Sequence, residues 1–348
     1  MNLLHWTRAT AAVALLISGS IAGCSKRESA TNARAQVAPA FETLELRYQG
    51  SVGTVTYPEL AEDLGYLAPI KLNYVGNTIS GPQDIQSVVT GDTDYGGAFN
   101  GAIIKLVAAK APVQAVIGYY GVDDETYSGS YVLADAPIHT ARDLIGKKVA
   151  VNTVGAHAEF VLREYLARNG LTKAEAEQVT LIVVPPVVSE QALRQKQVDV
   201  ATLSNLMRDK ALERGNIRRL FSDFELFGKF TAGSYVLTKS FLRDKPKTAQ
   251  RFVEATAKAI EWARSHPREE VVRRFEDIIK RRARNEDVSP VRYWRTTGIA
   301  GKGGLISERE YQVWLDWLVK DGQLSAGQLK LSDIYTNQLN PFFGTGPT

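Results

Sequence analysis

Ser, Thr, Asn and Gly recur where helices should begin: Ser51-Val52-Gly53-Thr54, the loop 77–81 ending in Ser80-Gly81, Phe99-Asn100-Gly101, Thr153-Val154-Gly155-Ala156-His157, and Leu203-Ser204-Asn205. Hydroxyls, amides and the free N–H groups of a helix start can hold a polar or anionic ligand without any charged side chain. Each loop alone reads equally as a set of helix caps. Their convergence on one cleft would favour binding. Candidate ligand contacts are therefore Ser51, Thr54, Ser80, Gly81, Asn100, Thr153, Gly155, Ala156, Ser204 and Asn205. Tyr57, Phe99, Tyr127 and Tyr131 could add aromatic walls, with core packing at least an equal reading for Phe99 and Tyr131. His157, at a helix start, either touches the ligand or holds a structural hydrogen bond.

No pattern for bond-making chemistry stands beside these loops. The four histidines, His5, His139, His157 and His266, are too scattered to put two ligands on one face, so no metal site is expected. There is no nucleophile elbow, phosphate-binding loop or dinucleotide fingerprint, and hence no expected cofactor. Asp123-Asp124-Glu125 and Glu225 read as surface carboxylates rather than an acid–base pair. The expectation is a binding protein, with no catalytic residues.

The formal charge of +4 is spread over 42 basic and 38 acidic residues. The densest basic run, 280–284, alternates with Glu276, Asp277, Glu286 and Asp287 as a solvated helix face does, which argues against nucleic acid as a partner. Cys24 is the one cysteine and ends the run Ile21-Ala22-Gly23-Cys24. Before it come Arg8, an apolar stretch at 11–17 and small residues at 19–23, the three parts of a secretory signal. The aliphatic-Ala-Gly-Cys ending resembles a bacterial lipobox, whose cysteine is lipidated. Residues 1–24 are thus expected to be a lipoprotein signal, and the polar run 25–40 a flexible tether.

About 300 residues remain, more than one core usually serves, so two lobes are expected. Strand and helix patterns alternate through residues 44–119, and the same order recurs in 139–225, which marks an α/β fold with helices flanking its sheets. Among the boundaries, Lys148-Val149-Ala150-Val151 and Val198-Asp199-Val200-Ala201 read as strands, Ser189 as a helix cap, and Ser307-Glu308-Arg309-Glu310 as a capping box. Gly91-Asp92-Thr93-Asp94-Tyr95-Gly96 is echoed by Lys196-Gln197-Val198-Asp199-Val200-Ala201. Gly129-Ser130-Tyr131-Val132-Leu133 recurs without change as Gly233-Ser234-Tyr235-Val236-Leu237, and the pair is expected to cross side by side as a two-stranded hinge. That division gives lobe 1 as 41–130 and 235–348, and lobe 2 as 131–234.

Ser80-Gly81-Pro82-Gln83, the Gly91–Gly96 run, Asp143-Leu144-Ile145-Gly146-Lys147-Lys148-Val149 and the Val198-Asp199-Val200 turn resemble those of type II periplasmic binding proteins. The similar families are the receptors for sulfonates, taurine, nitrate and thiamine pyrimidine precursors. The resemblance covers about residues 42–322. It implies mixed sheets flanked by helices in two lobes joined by crossover hinge strands. It implies a lipid-anchored, monomeric receptor on the periplasmic or outer side of a bacterial membrane, serving an ABC permease and ATPase. The ligand would be a small organic anion, sulfonate-like, or a related molecule. Alternatives on the same fold are a pyrimidine-precursor-type enzyme and a ligand-sensing module. Ser204-Asn205 departs from the aromatic and acidic pair common there in sulfonate and nitrate receptors, leaving more room for a larger ligand.

Overall fold

The computed structural model describes residues 40–344; the expected export signal, Cys24 and nearly all of the tether lie outside them. Strands and helices alternate from the start: β1 (Glu45–Gly50), α1 (Tyr57–Asp63), β2 (Lys71–Asn77), α2 (Gly81–Thr90), β3 (Gly96–Phe99), α3 (Asn100–Ala108) and β4 (Val113–Val122). A second series holds β5 (Ser128–Leu133), β6 (Lys148–Val151), α4 (His157–Arg168), α5 (Lys173–Ala176), β7 (Thr180–Val183), α6 (Pro186–Arg194), β8 (Val200–Ser204), α7 (Asn205–Glu213), β9 (Ile217–Ser222) and α8 (Asp223–Phe227). The chain then runs through β10 (Phe230–Thr238), α9 (Lys239–Asp244), α10 (Pro246–Ser265), α11 (Arg268–Arg282), α12 (Arg309–Lys320) and α13 (Leu331–Ile334).

β1 and β2 pair in parallel, and β10 lies between β3 and β4, antiparallel to both. The remaining strands form one mixed sheet in the order β7-β6-β8-β5-β9. Pro246 sits in the first turn of α10, where a missing N–H costs nothing, and the helix buries Phe252, Val253 and Ile260 against Leu46, Leu60 and Ile117. α12 sinks Trp314 and Leu318 into a second core with Ile103 and Val236, while α4 packs Val161, Leu162 and Leu166 against Val132, Val149 and Val200. Each such side chain contributes about 2 kcal/mol on burial, so these faces fix the helices on their sheets.

The echoed Asp segments do the same job twice. The Asp94 carboxylate accepts the Arg47 N–H at 2.7 Å, and the Asp94 N–H donates to the Arg47 carbonyl at 2.9 Å. Asp199 repeats this on Lys148, with distances of 2.8 and 2.9 Å. Each aspartate clips its own strand to the beginning of a neighbour. That is why β8 begins at Val200 rather than at the expected Val198: Asp199 is the clip that precedes the strand.

The twin five-residue segments do not lie side by side. Gly129–Leu133 falls in β5, between β8 and β9, and Gly233–Leu237 falls in β10, between β3 and β4. The crossings come just before each segment, at 123–127 and 223–229, and the Asp223 carboxylate ties them by accepting the Ser128 N–H at 3.0 Å. Identical strand-forming segments therefore enter different sheets directly after a crossing. Two further expectations shift. Ser189 lies inside α6, which begins at Pro186, and its hydroxyl donates back to the Pro185 carbonyl at 3.2 Å. Only half of the capping box before α12 forms, with Glu310 accepting the Ser307 N–H at 3.0 Å.

Candidate functional site

The ends of β1, β2, β3 and β4 face the starts of α4 and α7 across a cavity of about 540 Å³. Ser51, Thr54, Tyr57, Ser80, Gly81, Phe99, Ala156, His157, Ser204 and Asn205 all border it. Three helices present their first turns there. Ser80 precedes α2, Ala156 precedes α4 and Ser204 precedes α7, and none of these residues caps its helix through its side chain. The two serine hydroxyls are used sideways: Ser80 Oγ lies 3.2 Å from Thr153 Oγ1, and Ser204 Oγ accepts from Ser128 Oγ at 2.8 Å. No side-chain cap therefore covers these helix starts, and apart from the Asn205 N–H, which donates to the Tyr127 carbonyl at 3.3 Å, their first-turn N–H groups form the arrangement that holds an anion or a polar acceptor.

Four residues expected at the site lie elsewhere. Asn100 is fully buried in the core, donating to the Thr231 and Glu310 carbonyls at 3.0 and 3.3 Å and accepting from Ser234 Oγ at 2.9 Å. Its amide satisfies β10 and α12, because Phe99 and not Asn100 occupies the turn that faces the cavity. Tyr127 is held outside the wall, with the Arg208 guanidinium 3.8 Å from its ring centre and Arg219 donating to its hydroxyl at 2.7 Å. Thr153 is occupied by Ser80, and Gly155 donates its N–H to Glu159 at 2.8 Å on a separate surface groove.

Other lining residues escaped the sequence reading: Gln49, Asp84, Tyr119, Tyr120, Arg208 and Trp294. Asp84 is the least expected. It lies in the first turn of α2, where an aspartate ordinarily complements the helix dipole in water. Here it is only 6% exposed, because β3 presses on it. A methyl group on Gly96 would come within 2.9 Å of the Asp84 carbonyl, so the approach needs glycine there. Asp84 Oδ2 accepts the Gly97 N–H at 2.7 Å, while Oδ1 is buried without a partner. Burial pushes this carboxyl up to about 7, the Gly97 bond offsetting only part of the shift. The adjacent pair Gly96-Gly97 was the one available sign of a close approach.

His157 stacks flat on Phe99, ring centres 4.8 Å apart, and its Nε2 lies 3.3 Å from Asp223 Oδ2 without hydrogen-bond alignment. Burial lowers the imidazole to about 4 and raises Asp223 to about 7, so His157 is neutral near pH 7. Arg208 is 4% exposed and fully engaged, donating to the Glu125 and Tyr127 carbonyls at 2.6 and 3.0 Å and to Asp209 at 2.6 Å. It braces the 123–127 crossing against α7, with its charge paired to Asp209.

A family described as NMT1/THI5 like matches residues 60–270. No curated protein matches the sequence. Among solved structures, the chain is similar to the alkanesulfonate-binding protein SsuA of Xanthomonas axonopodis bound to MOPS, with 18% identity, a TM-score of 0.66, and 85% of this chain and 99% of that one covered. The aliphatic sulphonate-binding SsuA of Escherichia coli gives 20% identity, a TM-score of 0.63, and coverage of 85% and 93%. The nitrate-binding protein NrtA of Synechocystis gives 14% identity, a TM-score of 0.66, and coverage of 86% and 88%. At these identities the likeness carries the fold, which is that of periplasmic binding proteins. The family match spans well over half of the chain, and the protein belongs to the NMT1/THI5-like family.

Proposed function

We propose that the protein is the solute receptor of an ABC importer, capturing a small organic anion or related polar molecule between two lobes and releasing it unchanged. The observation that carries this reading is the convergence of the α2, α4 and α7 starts on one cavity, each without a side-chain cap. The SsuA and NrtA proteins, described as binding alkanesulfonates and nitrate, support it by analogy of fold. One lobe carries β1–β4 and β10, the other β5–β9, and the crossings 123–127 and 223–229 serve as the hinge.

Contacts that span the rim are those closure would make. Asn152 donates to the Ile79 carbonyl at 3.1 Å, Lys210 pairs with Asp287 at 3.2 Å, and Arg295 pairs with Asp209 at 3.2 Å. Exposed ion pairs of this kind contribute less than about 1 kcal/mol each, weak enough to open and reform.

Trp294 borders the cavity, so its fluorescence should change on occupancy. Titration with sulfonates, nitrate, bicarbonate, pyrimidines and aromatic acids should give a saturable signal for one class. Ser204→Trp should weaken that ligand by about tenfold or more, by filling space at the α7 start. Unchanged affinity in the variant would mean that this loop does not bound the site. A ligand recovered chemically altered would favour the enzyme alternative.

Cys24 ends a lipobox-like run, and on that motif we place the receptor on the outer side of a bacterial membrane by a lipid anchor, as a monomer, beside its permease and ATPase. Cys24→Ser should move the protein from the membrane to the soluble fraction; retention in the membrane would contradict the anchor. Liganded protein should raise ATP hydrolysis by the reconstituted permease complex, and no rise would leave sensing as the reading.

A further inference from the structure

The cavity is polarised. On the β1–α2 side two acceptor oxygens, Asp84 Oδ1 and Gln49 Oε1, are buried without a partner. Across from them the α7 start presents N–H groups beyond that of Asn205, which donates to the Tyr127 carbonyl at 3.3 Å, and has no acidic residue in its first turn, the nearby Arg208 charge being paired with Asp209 at 2.6 Å. Asp84 makes the α2 start unlike the α7 start, because a carboxylate in the first turn repels an anion brought to the same helix end. A buried acceptor left unsatisfied costs about 1–3 kcal/mol, so Asp84 destabilises the empty site unless something occupies its free oxygen. Nothing among the described residues does so. Gly97 takes only Oδ2. The phenols of Tyr95, Tyr119 and Tyr235 that sense this carboxyl are themselves held uncharged by burial, and no basic side chain is paired with Asp84 among the described residues.

We propose that Asp84, with Gln49 on the same wall, selects ligands bearing an N–H donor, an amine or amidine nitrogen, while the α7 start takes the ligand's oxyanion or acceptor end. The cleft then reads a dipolar molecule rather than a bare anion. This rests on the receptor reading above and specifies its ligand class. An N–H···carboxylate bond inside a closed cleft discriminates by more than its own strength, since a ligand lacking the donor leaves Asp84 Oδ1 unpaired.

The test uses the full chain and matched pairs that differ only in the nitrogen: aminopropanesulfonate against propanesulfonate, and aminomethylbenzoate against methylbenzoate. The aminated member of at least one pair should bind wild type about tenfold or more tightly than its partner, read as the concentration that half-saturates the thermal shift. Asp84→Asn keeps an oxygen for Gly97 and turns a donor toward the cavity, so it should abolish or invert that preference. Gln49→Leu should reduce it without inversion. If the amine-free members bind wild type equally or better, or Asp84→Asn keeps the preference, the Asp84 assignment is wrong and the receptor reading stands. If no member of either pair shifts the wild-type midpoint, the Asp84 assignment is overturned, and the receptor reading falls with it only if the full ligand panel also gives no shift. The wild-type comparison decides the matter even if a variant does not fold.

Discussion

Gly233→Ala should cost about 3 kcal/mol or more in urea unfolding, or prevent folding, while Gly129→Ala in the identical five-residue segment should cost about 1 kcal/mol. The difference lies in what each new methyl group meets. At Gly233 it would stand 1.9 Å from Tyr120 Cε1 and 2.6 Å from the Ala98 carbonyl oxygen. That oxygen belongs to β3, and β10 is held between β3 and β4, so neither backbone can withdraw without breaking its ladder. At Gly129 the nearest atoms are the far end of the Tyr131 ring, at 2.7 Å and beyond, so the neighbour that must shift is a side chain and not a paired backbone. Equal losses at the two sites would contradict the assignment of β10 as a central strand pinned on both sides.

Asp84→Asn should stabilise the ligand-free protein at pH 8 by about 1–2 kcal/mol and leave it nearly unchanged at pH 4. Burial raises the Asp84 carboxyl from its ordinary 3.8 to about 7. Below 3.8 it is protonated in both the folded and unfolded states and carries no linkage. Between 3.8 and about 7 the folded state keeps a proton that the unfolded state gives up, so stability falls as pH rises. Above 7 the full penalty of a buried charge is present. Asparagine never ionises and still offers an oxygen to the Gly97 N–H, so its advantage grows over that same window. His157 and Asp223 titrate in both proteins and cancel in the comparison. Chemical denaturation of both proteins from pH 4 to 8 checks this. A variant less stable than wild type at pH 8 would show that the carboxylate is retained for the fold rather than for a ligand.

Legibility followed locality. β6 was readable to both ends, since Lys148-Val149-Ala150-Val151 forms the strand at the bounds expected. The helix-start loops were readable because caps and ligand contacts draw on the same residue types, and most of those residues reach the cavity. The same overlap misled at Asn100, whose amide is consumed by β10 and α12, more than 100 residues away in sequence. The repeated Gly-Ser-Tyr-Val-Leu segment recorded a shared strand preference and carried no information about partners, which depend on where each crossing delivers the chain. Asp84 was invisible for the converse reason. Its local setting is that of a solvated first-turn aspartate, and only β3, folding over it through Gly96-Gly97, turns it into a buried carboxyl facing a cavity.

The proposed receptor captures a small polar molecule in this cavity and returns it intact. The most direct measurement is the thermal midpoint of the protein across the ligand panel, with mass analysis of the compound afterwards. Ligand that binds only the folded state must raise the midpoint with concentration, by about 2.7 kcal/mol of added stability at one hundred times its dissociation constant. Such a shift is expected for one ligand class, with most of it lost in Ser204→Trp and the compound recovered at unchanged mass. No shift with any compound, or a shift accompanied by turnover, would contradict the receptor reading.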